Sequence, residues 1–209
     1  MEFRSWGKTP RLFRDIVITE KIDGSNSAII FEELDVEDSG EFTIATVERD
    51  GVIYAVGAQS KNRLITPGKT TDNYGFAAFV QKNTEALFDL LGVGHHFGEW
   101  YGEGIQRRYG DANKGIRTFA LFNTAKHKDT FGSFEDEAGR HVLVESVPII
   151  YEGPFSEDVI RKAIQELGMN GSIAVPFHPN PEGIVVYHTQ SKQVYKVTRD
   201  NNDKGKWEL

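Results

Sequence analysis

Apolar and polar positions in this chain alternate over short runs punctuated by turn residues, a pattern that predicts strands more often than helices. Asp15 to Ile22 and Ser27 to Leu34 are two such runs, and Asp23-Gly24 between them predicts a hairpin. Glu41 to Glu48 and Val52 to Gln59 form a second pair around Arg49-Asp50-Gly51. Further strands are predicted at His96 to Tyr101, Arg117 to Thr124, His141 to Ile150, Gly183 to His188 and Gln193 to Thr198. Helical spacing occurs twice. Phe76, Phe79, Val80, Leu87, Leu90 and Leu91 predict one amphipathic helix ending before Gly92. Val159, Ile160, Ala163, Ile164 and Leu167 predict another, with Ser156 as its N-cap and Gly168 as its stop. Strands that do not alternate regularly with helices imply an antiparallel-rich α+β domain.

Composition narrows the class without naming it. The 209 residues, 39% of them hydrophobic, fit one fairly large domain or two small ones. There is no cysteine, which excludes disulfides and thiolate zinc sites. No apolar run reaches membrane-spanning length and the N-terminus lacks a signal-type segment, so the cytoplasm is the expected location. A net charge of −7 argues against nonspecific coating of nucleic acid. It leaves room for local basic clusters: Arg4, Lys8, Arg11 and Arg14; Arg107, Arg108, Lys114 and Arg117; and Lys192, Lys196, Arg199, Lys204 and Lys206. Such clusters are usually solvated faces; they permit a polyanionic ligand without demanding one. The acidic stretch Glu32 to Glu41 reads as a solvated loop.

Several familiar chemistries are absent. Gly68-Lys69-Thr70 echoes the end of a phosphate loop, but Arg63 stands where its first glycine belongs. Gly102 and Gly104 lack the strand–helix context of a dinucleotide site. The six histidines have no metal-ligand spacing, and there is no Gly-x-Ser-x-Gly elbow.

What remains begins at Lys21, which opens Lys21-Ile22-Asp23-Gly24-Ser25-Asn26. A lysine beside a carboxylate in a tight turn can act as a nucleophile once its amine is neutral, although a lysine beside a turn is more often merely solvated. Five more strings follow in order: Ser60-Lys61-Asn62-Arg63, Phe97-Gly98-Glu99-Trp100-Tyr101-Gly102, Phe119-Ala120-Leu121-Phe122-Asn123, Glu182-Gly183-Ile184-Val185-Val186 and Val194-Tyr195-Lys196-Val197. Singly, each has an ordinary structural explanation.

Together and in this order, from Thr19 to about Thr198, they resemble the nucleotidyl motifs of the covalent nucleotidyltransferase superfamily, and within it RNA ligases of the phage and RNA-editing type. The resemblance implies a single nucleotidyltransferase (ATP-grasp-like) α+β domain over residues 1–209, with antiparallel-rich sheets flanked by helices and no OB-fold or C-terminal module. It implies ATP and Mg²⁺ (or Mn²⁺), a lysyl-AMP intermediate, and a nucleic acid with 5′-phosphate and 3′-hydroxyl ends, RNA ahead of DNA. A partner protein is one source for the surface an accessory domain would supply. By the same resemblance Lys21 is the adenylated nucleophile, Glu99 contacts the ribose hydroxyls, Phe119 stacks on adenine and Glu20 helps to read its edge. Arg63 and Asn26 act near phosphates or nucleic-acid ends, Glu182 near the metal, Lys196 on the α-phosphate, and Asp23 in the later steps. DNA nick sealing, GTP-dependent capping and a non-catalytic binding module are the alternatives. One departure stands out: the last motif normally has two lysines separated by one residue, and here Val194 and Thr198 flank Lys196 at those positions.

Overall fold

The computed structural model describes residues 2–34, 40–106, 109 and 114–199. The chain divides into two compact units, Met1–Lys21 with Pro148–Leu209, and Ile22–Val147. The basic residues Arg107, Arg108, Lys204 and Lys206, and residues 35–39 of the acidic loop, lie outside the described residues.

The first unit is built on β1 (Asp15–Lys21), β10 (Ile149–Pro154), β11 (Gly183–His188) and β12 (Gln193–Thr198), in the order β10-β1-β11-β12, all antiparallel. Period-two alternation sends Ile16, Ile18, Ile184 and Val186 to one face, where they pack on Ala163 and Leu167 of helix α4 (Glu157–Asn170). Lys21, Gly183, Val185, Lys196 and Thr198 belong to the other face, by the register Lys21↔Gly183, Val185↔Lys196 and Gly183↔Thr198.

The second unit holds β2 (Ser25–Glu33), β3 (Ala45–Arg49), β4 (Val52–Ser60), β5 (Leu64–Ile65), β6 (Gly94–Gly102), β7 (Ile116–Leu121), β8 (Phe131–Glu135) and β9 (His141–Ser146). Their order is β3-β4-β2-β6-β7-β9-β8, with β5 on β4. Only β7 and β9 pair in parallel among the described strands. Helices α1 (Phe76–Lys82) and α2 (Thr84–Leu91) cover one face, burying Phe76, Phe79, Leu87 and Phe88 against Phe31, Trp100 and Phe119. Helix α3 (Thr124–His127) follows β7.

The structure departs from four sequence expectations. The runs flanking Asp23-Gly24 do not form a hairpin: β1 has both edges occupied by β10 and β11, and β2 by β4 and β6. The turn amides go elsewhere, that of Asp23 to the Tyr109 hydroxyl (2.6 Å) and that of Gly24 to Glu99 Oε1 (3.0 Å). The single helix predicted from Phe76 to Leu91 is two, broken at Asn83, whose side-chain amide donates to Phe79 O and Glu135 O. The run His141 to Ile150 splits into β9 and β10 in different sheets, at Pro148, which has no N–H to continue a ladder. Helix α4 runs through Gly168 and stops at Gly171, which adopts φ 83° and whose amide closes the last turn on Leu167 O.

Candidate active site

Lys21 closes β1, and its Nζ donates to Glu182 Oε2 at 2.5 Å, both side chains about three-quarters buried. The register makes this contact: Gly183, the residue after Glu182, pairs opposite Lys21. Only glycine serves at 183. Its φ is 159°, and a Cβ there would lie 2.2 Å from Val197 O. Lys21, Gly183 and Thr198 therefore form one row across three strands, with no side chain in the middle position. Lys196 is exposed on the same face, two residues from Thr198. Thr198 Oγ1 is buried and has no hydrogen-bond partner among the described residues. One of the two positions where a second lysine was expected thus presents a sheltered hydroxyl on the face that carries Lys21.

Glu20, next to Lys21, points to the opposite face and is 2% exposed. Its carboxylate accepts from Ser172 Oγ (2.5 Å) and from the amides of Ile173 (2.7 Å) and Ala174 (2.9 Å). Its observed role is to tie the segment after α4 to the strand that carries Lys21.

In the second unit, the register Asn26↔Glu99↔Ala120↔Glu145↔Phe131 lays one row across β2, β6, β7, β9 and β8. Glu99 and Asn26 are half-buried neighbours, and Glu99 also caps the amide of Gly24. Gly24 has to be bare: a Cβ there would meet Trp100 O at 2.4 Å and Tyr101 Cβ at 2.8 Å. Asp23 follows Ile22 at the entry to this turn. Arg63 is exposed in the turn between β4 and β5, where its carbonyl accepts from Ser60 N (2.9 Å).

Phe119 is a correction. Its side chain is 0% exposed and faces the helices, with its ring 4.9 Å from that of Phe76, so it is a core residue that no base can reach. Phe122, two residues past Ala120, lies on the Glu99 face and is 41% exposed, with its amide on Phe97 O; Phe97 (46%) and Phe131 (62%) are exposed on the same face. Phe119 and Phe122 stand in the same sequence string, and only strand phase separates them. Glu145 was also missed. It is a lone strand glutamate with no motif around it, but it shares the Glu99 row, and burial pushes its carboxyl above the ordinary carboxylate range.

Arg117 is likewise not part of a basic ligand face. Its guanidinium is buried, donates to Tyr74 O (2.5 Å) and Glu103 O (3.0 Å), lies 5.5 Å from the Trp100 ring centre and 3.7 Å from Asp136. Burial lowers its pKa from the ordinary value. For Asp136, burial works in the opposite direction but is outweighed by the Arg140 guanidinium (2.7 Å) and by the amides of Ala138 and Arg140, so its carboxyl titrates lower than usual.

No cluster of three or more His, Asp or Glu able to cage a metal occurs among the described residues. Mg²⁺ seldom needs one, because it keeps waters and takes substrate phosphates with one or two carboxylates. Glu182 is a single carboxylate of the kind that serves such a phosphate-held cation, and the neighbouring Lys21 and Lys196 suit the phosphates.

The fold is mixed α+β and sheet-rich, with Lys21 at the end of β1. The chain belongs to the RNA ligase family, whose model matches residues 14–198. Solved structures with the same fold include Naegleria gruberi RNA ligase as an arginine-to-alanine variant with ATP and manganese (17% identity, TM-score 0.52, covering 90% of this chain and 51% of that one). A lysine-to-methionine variant with AMP and manganese gives 16% identity, a TM-score of 0.50, and 90% and 50% coverage. An aspartate-to-alanine variant without ligand gives 17%, 0.50, and the same coverage. This chain spans about half the length of those ligases. No curated protein matches it.

Proposed function

We propose that this chain is the adenylyltransferase module of an ATP-dependent RNA ligase and carries AMP on Lys21. The observation behind the proposal is the 2.5 Å pairing of Lys21 Nζ with Glu182 on a sheet face that also bears Lys196 and the Thr198 hydroxyl. Nζ attacks the α-phosphorus of ATP, the bond to the bridging oxygen breaks, pyrophosphate leaves, and the proton shed by the amine passes to Glu182 or solvent. Lys196 offsets charge on the phosphoryl oxygens and Thr198 Oγ1 donates a hydrogen bond to one of them. Mg²⁺ or Mn²⁺, when bound, supplies Lewis-acid stabilisation at those oxygens. Glu182 is the residue that would hold it, directly or through water.

In the second unit, Glu99 accepts from the ribose hydroxyls and Phe122 stacks on the base, while Asn26 and Arg63 act on phosphates or nucleic-acid ends. Glu20 serves the nucleotide through the segment it anchors. In the next step an oxygen of a 5′-phosphate displaces Lys21 from the AMP phosphorus, and Asp23 acts from there on. A 3′-hydroxyl then attacks the activated 5′-phosphorus, forms the phosphodiester and expels AMP.

Intact mass after incubation with ATP and Mg²⁺ tests the first step, with a gain of one AMP expected on wild type and none on Lys21→Ala. A wild-type protein that stays unmodified overturns the proposal. Joining of 5′-phosphorylated RNA, compared with all-DNA nicks, tests the substrate.

A further inference from the structure

Residues 2–14 precede the family-matched region almost entirely, since the match starts at residue 14, and they carry an unusual surface. They contain no regular secondary structure and are exposed throughout. Within this stretch Phe3 is 94% exposed, Trp6 92% and Phe13 79%, and they interleave with Arg4, Lys8, Arg11 and Arg14. Glu2 is the only carboxylate among these residues, so an arm of net charge +3 stands on a chain of net charge −7.

The root of the arm is tied to the first unit. Arg11 N donates to Gln190 Oε1 (2.7 Å), Leu12 O bonds His188 Nε2 (2.9 Å), and Phe155 N donates to Arg14 O (2.9 Å). The Phe13 ring meets Phe155 edge-on at 6.0 Å. Beside this root, Arg11 and Leu12 join Phe155, Ile160 and the half-exposed Tyr195 around an apolar cleft of about 370 Å³. Lys192 is exposed two residues beyond Gln190.

Large aromatic side chains left in water next to cations have no role in a fold that buries neither. Single-stranded nucleic acid uses both: its bases stack on exposed rings and its phosphates take the cations. We infer that residues 3–14 form a binding arm for the single-stranded segment of an RNA substrate, with Phe3 and Trp6 as stacking platforms and Arg4, Lys8 and Arg11 along the phosphates. This inference rests on the RNA ligase reading and adds to it a substrate surface outside the nucleotidyl motifs.

The test is fluorescence anisotropy of full-length protein with a short, labelled, 5′-phosphorylated single-stranded RNA, in a salt series. Phe3→Ala/Trp6→Ala should weaken binding about tenfold or more, as expected for two lost stacking contacts. Arg4→Ala/Lys8→Ala should weaken it and reduce the slope of log affinity against log salt by about 1.4, at about 0.7 per cation lost on a single strand. All variants should form the AMP adduct at the wild-type rate, because that step needs no nucleic acid. Wild-type affinity in either double variant overturns the arm, as does an unchanged salt slope in the second. A wild type that forms no adduct overturns the ligase reading instead, so the two failures are distinguishable.

Discussion

Lys21 and Glu182 are 161 positions apart in the chain and 2.5 Å apart in space, because β1 and β11 pair so that Gly183 falls opposite Lys21. The contact depends on a strand register and on a glycine that no other residue can replace. Substituting Gly183 by Ala should therefore damage adduct formation as severely as Glu182→Ala while leaving every ionisable group in place. Time courses of AMP transfer to protein compare the two directly.

Thr198 offers a clean separation of structure from chemistry. Its hydroxyl is buried without a partner among the described residues, so Thr198→Val should leave thermal stability unchanged or slightly higher. If that hydroxyl serves a phosphate oxygen, the adenylation rate should fall about tenfold, the worth of one hydrogen bond to a charged group. An unchanged rate removes Thr198 from the proposed mechanism.

The two phenylalanines of one string should respond in opposite ways. Phe119→Ala opens a hole in the core and should cost about 3–5 kcal/mol by denaturant unfolding. Phe122→Ala should cost little stability and instead raise the ATP concentration needed for adduct formation. A stable Phe119→Ala protein with weakened ATP use would reverse the assignment.

Glu20→Ala should destabilise the first unit by about 1–3 kcal/mol, since it removes the acceptor of the Ser172 hydroxyl, through a buried bond, and of the part-buried amides of Ile173 and Ala174. Urea midpoints measure the loss. Glu20→Gln, which keeps one acceptor oxygen, should recover part of it.

The second unit carries its own acid sensitivity. His96 is buried, with Nε2 on Gly92 O (2.8 Å) and Nδ1 on His127 Nε2 (3.3 Å), and burial, then the nearby Lys126, His127 and His95, lower its pKa to about 4. The unfolded chain takes up this proton near pH 6.5 and the folded chain not until about 4. Stability should therefore be unaffected above about pH 6.5 and fall as the pH drops from there toward 4. Urea midpoints across that range should decline less steeply for His96→Asn than for wild type.

Much of this was legible in the chain. The apolar alternation of β1, β2, β4, β11 and β12 shows in the sequence because each strand buries one face, and burial writes period two into composition. The strings around Lys21, Glu99 and Glu182 could be singled out because six strings follow one another in one order, although each alone has an ordinary explanation. The hairpin at Asp23-Gly24 failed for a definite reason: turn chemistry says that a chain can reverse there, not which strands will occupy the edges on either side. Strand phase was also hidden in Phe119-Ala120-Leu121-Phe122, where both aromatics are equally apolar and only the pairing Trp100↔Phe119 sends one inward.

The sequence by itself determined which groups are available: a lysine beside a carboxylate-bearing turn, a Glu-Gly step, a closing lysine with valine and threonine at the two companion positions, and a basic, aromatic N-terminal segment. Local composition suffices for that, because residue type sets charge, nucleophilicity and burial preference. Tertiary structure alone decided which of them meet. Long-range strand register brought Glu182 to Lys21, left Gly183 bare between Lys21 and Thr198, and sent Phe119 into the core while Phe122 stayed exposed, since pairing between distant segments is a property of the whole packed sheet and of no single stretch of chain.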